Sequence, residues 1–129
     1  MCLLDEVVSW DATHTRCRSI SHRAPDNPLR AHGRLAAACG IEYAAQTMAV
    51  HGALMAAQTG GVAPHGLLAS IRGTRMHTDR LDAVDADLIT LVERVAGDER
   101  TAMYAFSVLA NEAVLLNGRA TIAFGVVPQ

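Results

Sequence analysis

Between Ile41 and Gln58 the chain holds one carboxylate, Glu42, and one imidazole, His51, among small or apolar residues and no proline. No other stretch constrains the fold as much. Rich in Ala, Met, Leu and Gln, it predicts a helix. Gly60-Gly61 supplies the stop. Such a helix would run about 27 Å at the standard rise. A helix that is small and apolar nearly all round has to be buried on most sides, so the rest of the chain must wrap it. The same burial makes Glu42 a question. Desolvating an ionised carboxylate is expensive. Either Glu42 stands at a rim and sees water, or the site has a use for a carboxyl group in apolar surroundings.

The flanking segments read as strands. "CLLDEVVSWD" (2–11) is apolar and partly β-branched, and "THTRCRSISH" (13–22) alternates, which suggests two strands joined near Asp11-Ala12. "RAPDNPLRAHGR" (23–34), with two prolines, Asn and Gly, predicts a loop. After the helix, "GLLASIRGTRMHT" (66–78), "DLITLVERVAG" (87–97), "TAMYAFSVLAN" (101–111) and "RATIAFGVV" (119–127) each predict a strand. The links "AGDER" and "NEAVLLNG" are of the kind that joins antiparallel neighbours. The expected fold class is α+β, a six-stranded antiparallel sheet wrapped around one long buried helix. With 129 residues and no repeat or linker, a single domain over 1–129 is expected.

Composition removes several functions. No apolar run approaches the roughly 18 residues of a membrane span, and no secretory signal is expected at the N-terminus. The net charge of −2 predicts neither nucleic-acid binding nor attachment to an anionic membrane. Every basic residue is Arg, which excludes a lysine Schiff base and a phosphate-loop lysine. Cys2, Cys17 and Cys39 are odd in number and lack CxxC spacing. Neither a zinc site nor a disulfide framework is expected, and a reducing cytoplasm is the simplest setting.

The order β-β-α-β-β-β-β resembles that of hotdog-fold proteins. "NPLRAHGRLAAACGIEYAAQ" (27–46) is similar to the loop and helix start of 3-hydroxyacyl-[acyl carrier protein] dehydratases. More narrowly it resembles the dehydratase-like proteins of aryl-polyene and related fatty-acid-type pathways. Their Gly-Ile-Glu-Tyr-Met-Ala-Gln-like run is matched by Gly40, Ile41, Glu42, Tyr43, Ala44, Ala45 and Gln46. "LLDEVVSWD" and "GTRMHTDRL" (73–81) resemble the family's first strand and its strand after the helix. Family members carry a Pro-His-containing segment ahead of the first strand, where this chain opens at "MCLLDEV", which leaves its true start open.

The resemblance implies removal of water from a 3-hydroxyacyl thioester to give a trans-2-enoyl thioester. A His takes the C2 proton and a carboxyl group helps the C3 hydroxyl leave. It implies no cofactor and no metal. The implied partners are an acyl carrier protein bearing a phosphopantetheine-linked chain and a second hotdog subunit, identical or different. "LLASIRGTRMH" (67–77) would be the edge at which the two sheets join. The chemistry agrees with a helix start: enolate charge is stabilised by free backbone N–H groups, and Gly40 permits close approach.

The expected acid is Glu42. The expected base is His22 of the other subunit, placed at a strand end that holds it rigidly, so that acid and base flank an apolar tunnel at the subunit interface. His32, in "RAHGRL", matches the family loop better by position and is the rival base or a substrate contact. Gln46, one turn after Glu42, either fixes it or holds backbone groups. His51 is expected to be structural or interfacial. His14, His65 and His77 have no ligand-like spacing and are expected at the surface or in turns. Cys39 is expected to be a buried small residue.

Overall fold

The computed structural model describes residues 2–125. Six strands form one antiparallel sheet: β1 Glu6–Trp10, β2 His14–Ser19, β3 Gly66–Met76, β4 Leu88–Gly97, β5 Thr101–Ala110 and β6 Ala113–Phe124. Their order across the sheet is β1-β2-β4-β5-β6-β3. One helix, α1 Gly40–Gln58, packs on β2, β4 and β5. This is the expected hotdog architecture.

The helix ends as its sequence predicts. Gly60 takes φ 73°, its N–H donates to Ala57 O, and Gly61 N–H donates to Ala56 O. These two bonds close the last carbonyls in a Schellman motif that a left-handed glycine permits. Its buried side carries Gly40, Tyr43, Ala44, Thr47, Met48 and His51. Glu42, Ala49, Ala53 and Ala57 remain exposed. A single curved sheet covers only one side of the helix, so the small-residue side that composition marked for burial stays open in the single chain.

Against α1 the sheet sets every second residue of β5: Ala102, Tyr104, Phe106, Val108 and Ala110 are all buried. β4 adds Leu88, Thr90 and Val92, and β6 adds Leu116 and Ala120. Gly40 touches this core directly. A Cβ built on it would lie 2.7 Å from Leu116 Cδ2 and 3.3 Å from Leu116 Cγ. Gly40→Ala is therefore expected to destabilise by about 1–2 kcal/mol: overpacking costs about 1–3 kcal/mol, partly offset by alanine's helix propensity. Urea unfolding measures this, and an unchanged midpoint would contradict the tight fit.

The predicted elements shift at three places. β6 begins at Ala113 rather than 119, because the β5–β6 link is only Asn111-Glu112, with φ 49° and 68°. Two positive φ values make a two-residue hairpin turn, and "AVLLNG" is strand. Residues 126–127 of the expected last strand lie outside the described residues. β2 ends at Ser19, and Ser21–Arg23 forms a 3₁₀ turn instead of continuing the strand. β1 starts at Glu6, because Leu3 N–H is taken by the side chain of Gln46 at 2.7 Å.

β3 is the free edge of the sheet opposite β1. Nine of its eleven residues are exposed, Leu67 and Leu68 among them, and beyond its pairing with β6 its outer edge is left without a partner strand among the described residues.

Candidate functional site

The turn Ala37–Cys39 runs straight into α1, and Cys39 already has helical φ and ψ. The segment before it is clamped to the loop after β3. Ala37 N–H donates to Asp79 O at 3.0 Å and Leu81 N–H to Leu35 O at 2.8 Å. Asp82 accepts from Leu35 N–H at 2.9 Å and from the Arg80 guanidinium. The Arg80 guanidinium, then the Leu35 N–H, hold the Asp82 carboxyl well below the usual carboxylate range.

Between these two walls lies a cavity of about 630 Å³ lined by Ala36–Ala38 and by Met76, His77, Thr78 and Asp79. Glu42 follows Ala38 by four residues, across the junction of the Ala37–Cys39 turn with α1, and both are exposed. The cavity is thus lined by the imidazole of His77, and the exposed carboxylate Glu42 stands just beyond its lining, on the first turn of α1. Sequence spacing marked His77 only as a surface residue. It is exposed, as expected, and its place at the cavity follows from the loop clamp, which spacing alone does not reveal.

Tyr43, next to Glu42, points the other way. Its buried hydroxyl meets Ser21 Oγ at 2.7 Å and accepts from Asn27 Nδ2 at 3.1 Å. Ser21 Oγ also lies 2.8 Å from Leu3 O, and Asn27 Nδ2 also donates to Ser21 O at 2.8 Å. Burial comes first among the causes that raise the Tyr43 pKa, so the phenol stays neutral. This network locks the Ser21–Arg23 turn and the chain start onto the first turn of α1. Sequence reasoning missed Asn27 and Ser21, which sit in stretches that read as loop and strand end.

His22 lies in that turn and is wholly buried. Its Nε2 is 3.1 Å from Val84 O. A carbonyl only accepts, so Nε2 carries the proton and Nδ1 is bare; Nδ1 is buried with no partner. Desolvation is the main cause that lowers the His22 pKa, which keeps the ring neutral. Within one chain Glu42 faces solvent and His22 the interior, while the expected pairing joins Glu42 of one subunit to His22 of another.

His32 occupies the exposed tip of a hairpin turn with Gly33, at φ 54° and 73°, closed by the Ala31–Arg34 pair. Gly40 opens α1 and is buried against Leu116. Gln46 holds the backbone of Leu3, one of the two roles foreseen for it. His51 is buried; its Nε2–H donates to Ala12 O at 3.1 Å and its Nδ1 accepts from Tyr104 OH at 2.9 Å. It bolts α1 to the β1–β2 turn. Cys39 is half-buried, with Sγ 3.8 Å from Leu29 O. Among the described residues no group of three His, Cys, Asp or Glu side chains could hold a metal ion, and no helix is long and apolar enough to cross a membrane.

A family model described as ApeP dehydratase, ApeP-like, matches residues 1–124. Among solved structures the chain is similar to the dehydratase heterocomplex ApeI:P from Xenorhabdus doucetiae. The TM-score is 0.86 at 20% identity, covering 97% of this chain and 84% of that one. It is also similar to thioesterase HI1161 from Haemophilus influenzae, with TM-score 0.65 at 8% identity, covering 92% and 76%. S. sahachiroi AziG gives 0.65 at 14%, covering 92% and 89%. No curated protein sequence matches.

Proposed function

Since this chain belongs to the ApeP-like dehydratase family, we propose that it takes part in removing water from a 3-hydroxyacyl thioester carried by an acyl carrier protein, giving a trans-2-enoyl thioester. Glu42 is the acid. The observation that carries this reading is its position: the one carboxylate of α1, exposed on the first turn, four residues after Ala38 of the cavity lining. With the acyl C3 hydroxyl next to Glu42, the carboxyl group donates its proton as the C–O bond breaks and water leaves. The C2 proton goes to an imidazole, and the thioester oxygen that gains enolate charge is stabilised by the N–H groups of the helix start.

A second reading is favoured by the enclosure of His22. A fully buried ring cannot meet a substrate on the surface that Glu42 faces. The chain then supplies the acid half of a composite site, and a second hotdog subunit docked along β3 supplies the base. The ApeI:P complex is a dehydratase heterocomplex, which supports an arrangement of two unlike subunits. A cytoplasmic setting agrees with the free thiols of Cys2, Cys17 and Cys39.

The test is hydration of a trans-2-enoyl thioester by the purified chain alone and by the chain co-purified with a hotdog partner. Turnover by the chain alone that is lost in His77→Ala supports a complete site with His77 as base; loss in His22→Ala restores the buried ring to that role. Turnover only with the partner supports the acid-half reading. Release of free thiol with no 3-hydroxyacyl thioester formed in either preparation would overturn the dehydratase reading in favour of a thioesterase.

A further inference from the structure

We infer that the outer face of the β3–β6 ladder, away from the helix, is a binding site for phosphate groups built from Arg72, Arg75 and Arg119. The inference stands apart from the dehydratase reading, because this face is the opposite one from that covered by α1.

The arrangement depends on one irregularity. In an unbroken strand, residues three apart point to opposite faces. In β3 the register passes from Arg72 opposite Arg119 to Arg75 opposite Asn117, so Gly73 and Thr74 together face Gly118. This bulge, with Gly73 at φ 63°, turns Arg75 to the same face as Arg72. The face is fixed by β6: Leu116 and Ala120 are buried in the core, so Asn117 and Arg119 between them point outward. Three exposed guanidinium groups are thereby gathered on two adjacent strands, two of them directly opposite each other.

Like charges directly opposite each other in a sheet are destabilising, and nothing nearby relieves this pair. Among the described residues no ion pair involves Arg72, Arg75 or Arg119. Neither strand contains a carboxylate. The carboxylate nearest in register is Glu93, opposite Ala105, which is itself opposite Arg119. That is two strand spacings away, about 10 Å, and Glu93 is bonded to His14 Nε2 at 2.9 Å. The other half of the sheet is balanced differently: Arg18 joins Glu6 and Asp87. An uncompensated arginine cluster on a chain of net charge −2 is local, not a general basicity.

Between Arg72 and Arg119 lies a recess of about 290 Å³, bordered by Gly73, Met103 and Thr121. A Cβ at Gly73 would meet nothing within 4 Å, so the backbone there is open to a ligand. Two facing guanidinium forks, a hydroxyl and a bare backbone suit a compact tetrahedral anion better than an extended acidic peptide. Coenzyme A and the phosphopantetheine arm of a carrier protein both present such a group.

The experiment is titration calorimetry of the full chain with inorganic pyrophosphate at low ionic strength. Saturable binding is expected, weakened at least about tenfold in the double variant Arg72→Gln/Arg119→Gln. It should be unchanged in Arg16→Gln, an exposed residue on the same face of β2. The thermal midpoint without anion should not fall in the double variant, and its rise with pyrophosphate should vanish. Absence of saturable binding, or equal loss in Arg16→Gln, overturns the inference. So does binding of an acidic carrier protein without its phosphopantetheine arm by a chain that ignores pyrophosphate. Coenzyme A and 4′-phosphopantetheine form two further arms. The one whose affinity exceeds that of pyrophosphate and falls in the double variant names the source; equal affinities assign a site for free anions.

Discussion

Replacing Glu42 by glutamine is expected to lower the rate of enoyl-thioester hydration, or of the reverse dehydration, by at least about 100-fold, the usual scale for one general acid–base group. The amide keeps the size and shape of the side chain but removes the acidic proton and the negative charge of the carboxyl group. KM should move little, because the side chain keeps its size and shape. Stability should also hold: the side chain is exposed, so the variant loses only a carboxylate's interaction with the helix dipole, about 0.3–1 kcal/mol. Steady-state kinetics beside a urea melt separates the effects. A rate within about threefold of the parent, in a preparation that is active, would remove Glu42 from the chemistry. It would leave the chain as a binding subunit.

Acid should weaken the fold well above the carboxylate range. His22 and His51 are both buried and neutral, with folded pKa values lowered chiefly by desolvation from an ordinary 6.5. The folded chain therefore binds fewer protons than the unfolded chain below about pH 6.5, and stability present above that pH is lost as the pH falls toward the folded values. Each such group contributes up to about 1.4 kcal/mol per pH unit. Between pH 7.5 and 5.5 the pair should account for a loss of up to about 2.7 kcal/mol. Asp11, lowered to about 2 by the backbone N–H groups of Thr13 and His14, adds its loss only in stronger acid. Denaturant unfolding at pH 7.5, 6.5 and 5.5 measures the slope. A flat profile over this range would mean that one or both rings take up a proton in the folded state, against their hydrogen bonds to Val84 O and Ala12 O.

Most of the architecture was legible because the residues that make it carry their own signals. The helix announced itself through composition and through Gly60-Gly61. The β-branched and aromatic residues of β4 and β5 marked them as strands, while the alternation of buried residues along β5 shows only in the structure. The β5–β6 turn was hidden because Asn111-Glu112 lacks the glycine that flags a two-residue hairpin, although both residues adopt the left-handed conformation. The end of β2 was hidden because Ser21 and His22 continue the alternation of polar residues after the strand has stopped. What ends it is tertiary: Ser21 leaves the sheet to bond the Tyr43 hydroxyl. For the site, sequence located Glu42 at an accessible helix start. It had no means of foreseeing that His22 would turn inward, or that the Ala37–Asp79 bond would bring His77 to the cavity. Both outcomes depend on contacts between segments distant in sequence.

The layout of the sheet also fixes an order of events in synthesis. β3 ends at Met76, while its only neighbour among the described residues, β6, begins at Ala113. At ribosomal speeds of roughly 5–20 residues per second, β3 waits several seconds with both edges bare and with Leu67 and Leu68 uncovered. β4 and β5 can meanwhile pair with each other through a short turn. The nascent chain is therefore most vulnerable late, when four strands have formed and the fifth in space is still missing. The kink at Gly73 interrupts β3 midway, so a foreign strand finds no long flat template during that wait.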